Sequence, residues 1–453
     1  KEKMKITGCC KWVLLSFLLF VSCDSFLDIE PKGRVIPKTL EDFRLLIDGA
    51  YADYKEVSYK SLLAFRTDEL KPNYTGYASV FDDRYKDIYL WNDAAPGPKT
   101  KEFPYRAFYN NIFTVNHIIN KGRKTIKTDS EKEQLMGEAY ALRAYAYFDL
   151  INLYGKPYRA ETAASDTGVP LVLDLDLEGK FKPQLVQRIY DQVLADMAEA
   201  KKRLNTTVPE TGFNYRFSVL ALYALEARVN LYMERWESTL QAADKALSLK
   251  STLVNLNEEV SVLPNAYDSP ESILALENTF EVKTSLHNVS HVSYELLNLY
   301  DMENDSRFSL YFPRQGVVAK GGAPNKCSFR VAELYLIQSE ALLHLDRLAD
   351  AKKALLTLIR NRYQTEGLPE REKRIESMDK AAFTAELSDE RQRELALEGH
   401  RWFDLRRTTQ PQITHVYKGK TYTLQQNDPR YTLPFPKEAR LRNPFLTHPE
   451  PGS

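Results

Sequence analysis

Between Leu135 and Tyr154 the apolar positions fall on two faces of one helix. Leu135, Ala139, Leu142, Ala146, Leu150 and Leu153 recur three or four residues apart, which places them along one side. Tyr140, Ala144, Tyr147, Ile151 and Tyr154 form a second stripe. A helix apolar on two faces packs between neighbours, so this pattern predicts a central helix. Glu138, Arg143 and Asp149 interrupt it, and buried charges are expensive unless paired. Each is therefore expected to have a partner. Gly155 stands where a left-handed C-cap would lie, and Pro157 prevents the helix from restarting.

The same periodicity predicts helices at Leu40–Tyr54, capped by Thr39, and at Phe103–Lys121, Leu185–Leu204, Ser218–Glu234, Trp236–Leu249, Phe329–Leu345 and Ser388–Glu398. Two of these stretches share a ruler. With Ala227 at the small crossing position of a tetratricopeptide unit, Trp236, Leu240 and Ala246-Leu247 fall where its second helix packs. Ser339, Leu348 and Leu358-Ile359 repeat the spacing further along the chain. Residues 103–154 and 184–234 fit less closely, so about four helical pairs are expected. Two stretches lack either period. Asp68–Trp91 interleaves aromatic and polar residues. Lys250–Lys326 holds one short buried strand, Ile273–Leu276, and further aromatics. Long irregular segments inside compact proteins are usually functional.

The chain begins with a basic stretch, Lys1–Lys11, followed by the apolar run Trp12–Val21. The run is too short to span a bilayer, which takes about 20 residues, and it reads as an export signal with Met4 as initiator. It ends at Phe20-Val21-Ser22-Cys23, which resembles a lipoprotein cleavage site. Residues 1–22 are thus expected to be a signal peptide and Cys23 the lipidated first residue of the mature chain. Cys9 and Cys10 leave with the signal, and Cys327 remains without a partner for a disulfide.

Five separated stretches resemble one family, in the same order. After Cys23 come Phe26-Leu27-Asp28 and Pro31. Tyr109, Ile112 and Asn116 match a Y-x-x-I-x-x-x-N helix, although Tyr105 stands at the usual tryptophan. EAYALRAYAYFDLINLYGKPY (Glu138–Tyr158) and ERQRELALEGHRWFDLRR (Glu390–Arg407) match two longer signatures. Leu433-Pro434-Phe435-Pro436 with Asn443-Pro444 matches the closing elements. Together these resemble the SusD/RagB family of nutrient-binding outer-membrane lipoproteins.

The resemblance implies a mainly α SusD-like fold in a single domain, 23–453. It has about four tetratricopeptide-like helix pairs, loop-rich insertions and a few short strands. The helical frame spans about 103–249 and 329–407, the loop-rich ligand-side segments about 55–102 and 250–328, and the C-terminal segment 408–453. It also implies a non-enzymatic protein, lipid-anchored in the outer membrane and facing the cell exterior. Such a protein captures a glycan and delivers it to a SusC-like TonB-dependent transporter. A RagB-like peptide-capturing protein and a tetratricopeptide assembly protein without a small ligand are the alternatives.

Composition narrows the chemistry further. Of 453 residues, 43% are apolar and 27% charged, with 62 basic and 62 acidic side chains. That is ordinary globular composition, and the balance offers nothing to a nucleic-acid partner, which needs a basic face. No G-x-S-x-G, H-E-x-x-H or phosphate-binding loop occurs, so no catalytic residue and no cofactor are assigned. His287 and His291 have the spacing of two metal ligands on one helix but lack companions. Asp301-x-Glu303-x-Asp305 has Ser306 where a calcium loop needs glycine. No metal is assigned.

The chain carries 27 tyrosines and four tryptophans. Sugar rings present apolar C–H faces, for which flat aromatic surfaces beside polar groups are suited. Trp12 belongs to the leader, Trp236 to a repeat and Trp402 to the C-terminal signature. Trp91 is left as the tryptophan free for a ligand, with Tyr77 and Tyr89 from the first irregular segment and Tyr294 and Tyr300 from the second. The signature charges Glu390, Arg393, Glu398, Arg401, Asp404 and Arg406 are expected to hold the C-terminal helix through ion pairs.

Overall fold

The computed structural model describes residues 37–55, 59–75, 77–125, 129–176, 179–278, 286–313, 318–321 and 325–447. The expected leader at residues 1–22, Cys23 and the Phe26–Pro31 motif lie outside these residues.

The Ser130–Tyr154 helix is central, as its two stripes predict. Asp129 caps it by accepting from the Lys132 amide, and every residue from Leu135 to Tyr154 is buried. It packs against Arg106–His117 on one side and, over a longer contact, against Val186–Arg203 on another. The second contact differs from the expected pairing of 184–204 with 218–234. A helix apolar all round can take several partners, and sequence spacing does not rank them. Its three charges are each met by a neighbouring segment. Glu138 pairs with Arg44 at 2.9 Å, Arg143 with Asp196 at 2.6 Å, and Asp149 accepts from the Tyr54 hydroxyl. Gly155 does not take the left-handed conformation expected of it, since its φ is −98°. Space is the reason a side chain is excluded there: an added Cβ would lie 2.3 Å from Ile151 Cδ1.

The repeat ruler holds in detail. Val219–Tyr232 and Trp236–Leu249 form one helical hairpin, and Val331–His344 and Leu348–Ile359 the other. Ala227 and Ser339, at the two crossings, are both fully buried. The turns match residue for residue. Glu234 and Asp346 have φ of 56° and 58°, and the Arg235 and Arg347 amides donate to the Asn230 and Leu342 carbonyls at 3.0 and 2.9 Å. Trp236 then reaches across to the second hairpin, stacking on His344 at 3.8 Å. The strand expected at 273–276 is present as Ser272–Leu274, antiparallel to Phe329–Arg330.

Two features escape the sequence pattern. The helix ending at Glu394 starts at Lys380, capped by Asp379, and the amphipathic Leu368–Ser377 helix precedes it. Beyond the repeats, Ile413–Tyr417 and Lys420–Leu424 form a β-hairpin. Its turn residues Lys418 and Gly419 have φ of 46° and 75°, the left-handed pair that a two-residue hairpin turn requires.

The loop-rich segments are folded, not loose. Leu70–Pro72 pairs with Ser290–Val292, joining the first irregular segment to the second. A core of their own lies beneath them, built from Phe65, Phe81, Tyr85, Tyr89, Leu296, Tyr300, Tyr311 and Phe312. A buried charge cluster fastens this part to the C-terminal helix. Arg307 contacts Asp305, Glu390 and Glu394, while Arg330 contacts Glu271, Glu394 and Glu398. Arg362 joins Glu271 and Glu394. The signature charges thus act as expected, with Arg401 paired to Asp68 and Asp404 to Arg391 and Arg407. Arg406 differs: it donates to the Tyr431 and Gly155 carbonyls and has no carboxylate partner among the described residues.

Glu69, at the mouth of the first strand pair, is buried and accepts from the Leu397 amide at 2.8 Å. Burial pushes its carboxyl up to about 7, against that hydrogen bond. The folded protein therefore holds a proton here that the unfolded chain releases near pH 4.5, and stability falls as pH rises from about 4.5 through 7. Glu69→Gln keeps the acceptor and removes the ionisation. The variant is expected to match the parent near pH 4 and to exceed it by roughly 3 kcal/mol above pH 8 in urea unfolding. Parallel pH profiles for the two proteins would contradict this.

Candidate functional site

The nominated aromatics separate into two groups. Trp91 is 1% exposed, with its indole N–H donating to the Arg66 carbonyl at 3.1 Å and its ring stacked on His415 at 4.2 Å. Tyr89 stacks on the same imidazole at 4.0 Å. The His415 nitrogens face the Tyr89 and Thr67 carbonyl oxygens at 2.6 and 2.9 Å. Burial holds this histidine below its ordinary range, although the two carbonyls pull the other way. Tyr300 is buried against Phe312 and donates to the Arg393 carbonyl at 2.6 Å. None of these three rings offers a face to a ligand. The physical reason is local: segments poor in aliphatic residues use their own aromatics as core.

Tyr77 and Tyr294 are 51% and 65% exposed. Tyr294 opens a short helix capped by Ser293, directly after the Ser290–Val292 strand. Opposite, on Leu70–Pro72, Lys71 places its ammonium 5.8 Å from the Tyr294 ring centre and pairs with Glu295 at 2.8 Å. Lys71, Pro72 and Tyr74 form one wall of a surface depression of about 450 Å³, and Val416, Lys418 and Gly419 form the other. Tyr74 is 49% exposed. Its ring leans on Tyr417 at 6.1 Å, and its hydroxyl sits 3.3 Å from both the Val416 carbonyl and the Lys418 amide. Lys418 pairs with Asp82 at 2.5 Å, and Tyr417 donates to the same carboxylate. Burial would raise Asp82, but these two hydrogen bonds outweigh it and hold the carboxyl below its usual range. The lysines are thus positioned beside exposed apolar ring faces, a combination suited to a ligand with C–H faces and hydroxyl groups.

Tyr74, Lys71 and Lys418 are the residues that sequence reasoning did not single out. Nothing in the one-dimensional pattern prefers Tyr74 to Tyr89. The hairpin that completes the depression did leave a signal: alternating Ile413, His415 and Tyr417 followed by Lys418-Gly419.

Other chemistry suggested by spacing does not assemble. His287 and His291 are divided between a helical turn, Leu286–Val289, and the following strand. Asp301 accepts from the Glu303 and Asn304 amides, and Asp305 pairs with Arg307, so these carboxylates close a turn and an ion pair. Among the described residues no group of three or more potential ligands could hold a metal. Cys327 is buried, which pushes its thiol up to about 12. A cavity lined by Asp149, Arg228, Glu398 and His400 measures about 20 Å³, room for one water-sized group.

Comparison with known proteins bears on the whole fold. A sequence model of the SusD family matches residues 288–450, and one described as starch-binding and associating with the outer membrane matches residues 25–231. Both halves of the chain are thus similar to SusD-family proteins. The SusD-like protein P38 of Formosa agariphila is 29% identical over 287 residues, which cover 59% of this chain and 53% of that protein. The chain spans about half the length of the curated SusD-like relatives it matches. A SusD superfamily structure from Bacteroides thetaiotaomicron superposes with a TM-score of 0.75 at 22% identity, covering 90% of this chain and 99% of that one. A laminarin-binding SusD-like protein superposes at 0.60 and 17% identity, covering 90% and 98%. At these identities the likeness shows a shared SusD fold. Among the described residues no helix is long and apolar enough to cross a membrane.

Proposed function

We propose that this SusD-like chain captures a carbohydrate on the face formed by Tyr74, Tyr77 and Tyr294 and passes it to a SusC-like TonB-dependent transporter. The observation that carries the reading is the exposure of these three rings in a protein that buries most of its aromatics. Lys71, 5.8 Å from the Tyr294 ring centre, and Lys418, which lines the depression with Tyr74, supply donors for hydroxyl groups. The starch-binding description of the family model and the laminarin-binding neighbour support a glycan over a peptide. On this reading Cys23 carries the lipid that tethers the chain to the outer membrane, facing outward, and no bond of the ligand is made or broken.

The test is calorimetric titration with a panel of neutral oligosaccharides, with product analysis for turnover. Removing two stacking rings, each on the order of 1 kcal/mol, is expected to weaken binding roughly tenfold or more in the Tyr74→Ala/Tyr294→Ala double variant. Unchanged affinity in that variant would sink the site. Shortened oligosaccharide products would overturn the non-enzymatic reading.

A further inference from the structure

The Arg106–His117 helix does not end at His117. It widens into one π-helical turn, Ile118–Gly122, and resumes briefly as Arg123–Thr125. Such turns are uncommon and occur often at functional sites. Here the turn forms one wall of a cleft of about 560 Å³, within the range of about 300–1,000 Å³ typical of small-ligand pockets. The central helix supplies the floor through Tyr140 and Arg143, and residues 173–175 supply the other wall. That wall is fastened in place. Asn116 donates to the Val172 carbonyl at 2.9 Å and Asn120 to the Leu173 carbonyl at 3.1 Å, while the Tyr147 hydroxyl exchanges hydrogen bonds with the backbone of Val172.

The charge of this cleft is one-sided. Lys121, Arg123 and Lys124 are exposed and, among the described residues, have no carboxylate partner. Arg143 is paired with Asp196, and among the described residues Asp174 is the one carboxylate lining the cleft. Together with burial, the Lys121 charge helps hold His117 below its usual range. The Tyr140 ring lies between the Arg143 and Arg203 guanidinium groups, 5.5 and 5.2 Å from its centre, and its hydroxyl has no hydrogen-bond partner among the described residues. A hydroxyl and three cations that have no partner among the described residues, around a concave surface, are arranged to receive an anion that also carries hydrogen-bonding groups.

We infer that the cleft lined by Lys121, Arg123, Lys124 and Tyr140 is a second binding site, for the carboxylate or sulfate group of an acidic oligosaccharide. The inference takes its ligand class from the carbohydrate reading but uses none of the residues of the tyrosine face. A rigid cleft with a tyrosine in its floor fits a discrete sugar better than a flat membrane surface.

The full chain is titrated with oligogalacturonate, a malto-oligosaccharide of equal length, inorganic sulfate, and vesicles containing phosphatidylglycerol. Oligogalacturonate is expected to bind with an affinity that drops as salt is added. Lys121→Gln/Lys124→Gln is expected to weaken it tenfold or more and to leave malto-oligosaccharide affinity and urea unfolding unchanged, since both lysines are exposed. Excess inorganic sulfate is expected to compete. Tyr74→Ala/Tyr294→Ala leaves the lysine-dependent part in place, so loss of the tyrosine face and loss of this cleft are separately readable. Equal affinity of the lysine variant and the parent for oligogalacturonate, or no binding of it at all, would overturn the inference. Lysine-dependent binding to vesicles alone would overturn it in favour of a lipid headgroup.

Discussion

Glu394→Gln is expected to lower the unfolding free energy by about 3–5 kcal/mol. Glu394 is fully buried and accepts from Arg307, Arg330 and Arg362, at 2.8, 2.5 and 2.9 Å. Burial alone would raise its carboxyl, yet Arg362, Arg330 and Arg307 together hold it well below the usual range. Three guanidinium groups removed from water share this carboxylate with Glu271, Glu390 and Glu398. A neutral amide leaves them under-compensated, and removing one partner of a buried ion pair costs far more than the pair is worth. The loss is large against a typical total of about 5–15 kcal/mol. Urea unfolding measures it, with Glu372→Gln as control, because Glu372 pairs with Arg360 at the surface and such pairs contribute about 0–1 kcal/mol. A change below about 1 kcal/mol for Glu394→Gln would contradict the role assigned to the cluster. The cluster also sets the acid limit. Against the effect of burial, Arg307, Arg393 and Arg371 lower Glu390 to about 2, so its contribution is full above pH 4.5 and is lost as pH falls from there toward 2.

Trp91→Ala is expected to cost a similar amount, about 3–5 kcal/mol. The ring fills space between His415 and the Arg66 backbone, and its N–H would leave the Arg66 carbonyl unmatched. Its φ of 53° is unusual for a bulky residue, so the turn from the Lys86–Tyr89 helix is held by these contacts at some local cost. Trp91→Phe keeps much of the ring and loses the hydrogen bond, for which about 1–2 kcal/mol is expected. The informative comparison is with Tyr294→Ala. The tyrosine variant is expected to retain stability and lose carbohydrate affinity. The tryptophan variant is expected to lose stability and, where still folded, to bind as the parent does. A Trp91→Ala protein of normal stability without ligand affinity would return Trp91 to the binding face.

The contrast between these residues shows where one-dimensional reading stops. Trp91, Tyr89, Tyr77 and Tyr74 occupy one short aromatic segment without a clear period. Whether each ring faces in or out depends on what covers it. His415, more than 300 residues away, covers Tyr89 and Trp91. The edge of the same hairpin leaves Tyr74 half-open. No local pattern encodes that assignment, because burial is a property of the partner as much as of the residue.

Periodicity carried over for the central helix and the repeat, whereas the helix expected at Ser388–Glu398 runs from Lys380 to Glu394. The two stripes of the central helix meant burial on all sides, and its three charges found partners. The spacing around Ala227 and Ser339 meant equivalent helical hairpins, down to left-handed residues at Glu234 and Asp346. Helix and repeat are set by interactions three to nine residues apart, and the sequence states these directly. The family resemblance is legible for the same reason, because its motifs are the residues that fix those helices. Tertiary structure alone decided which helix the central one grips most, which aromatics became the core of the irregular segments, and that Lys71, Tyr74 and Lys418 meet at one surface. Those outcomes arise from contacts between separate segments, from 53 residues apart for Arg143 and Asp196 to 344 for Tyr74 and Lys418, where sequence separation carries no information about distance in space.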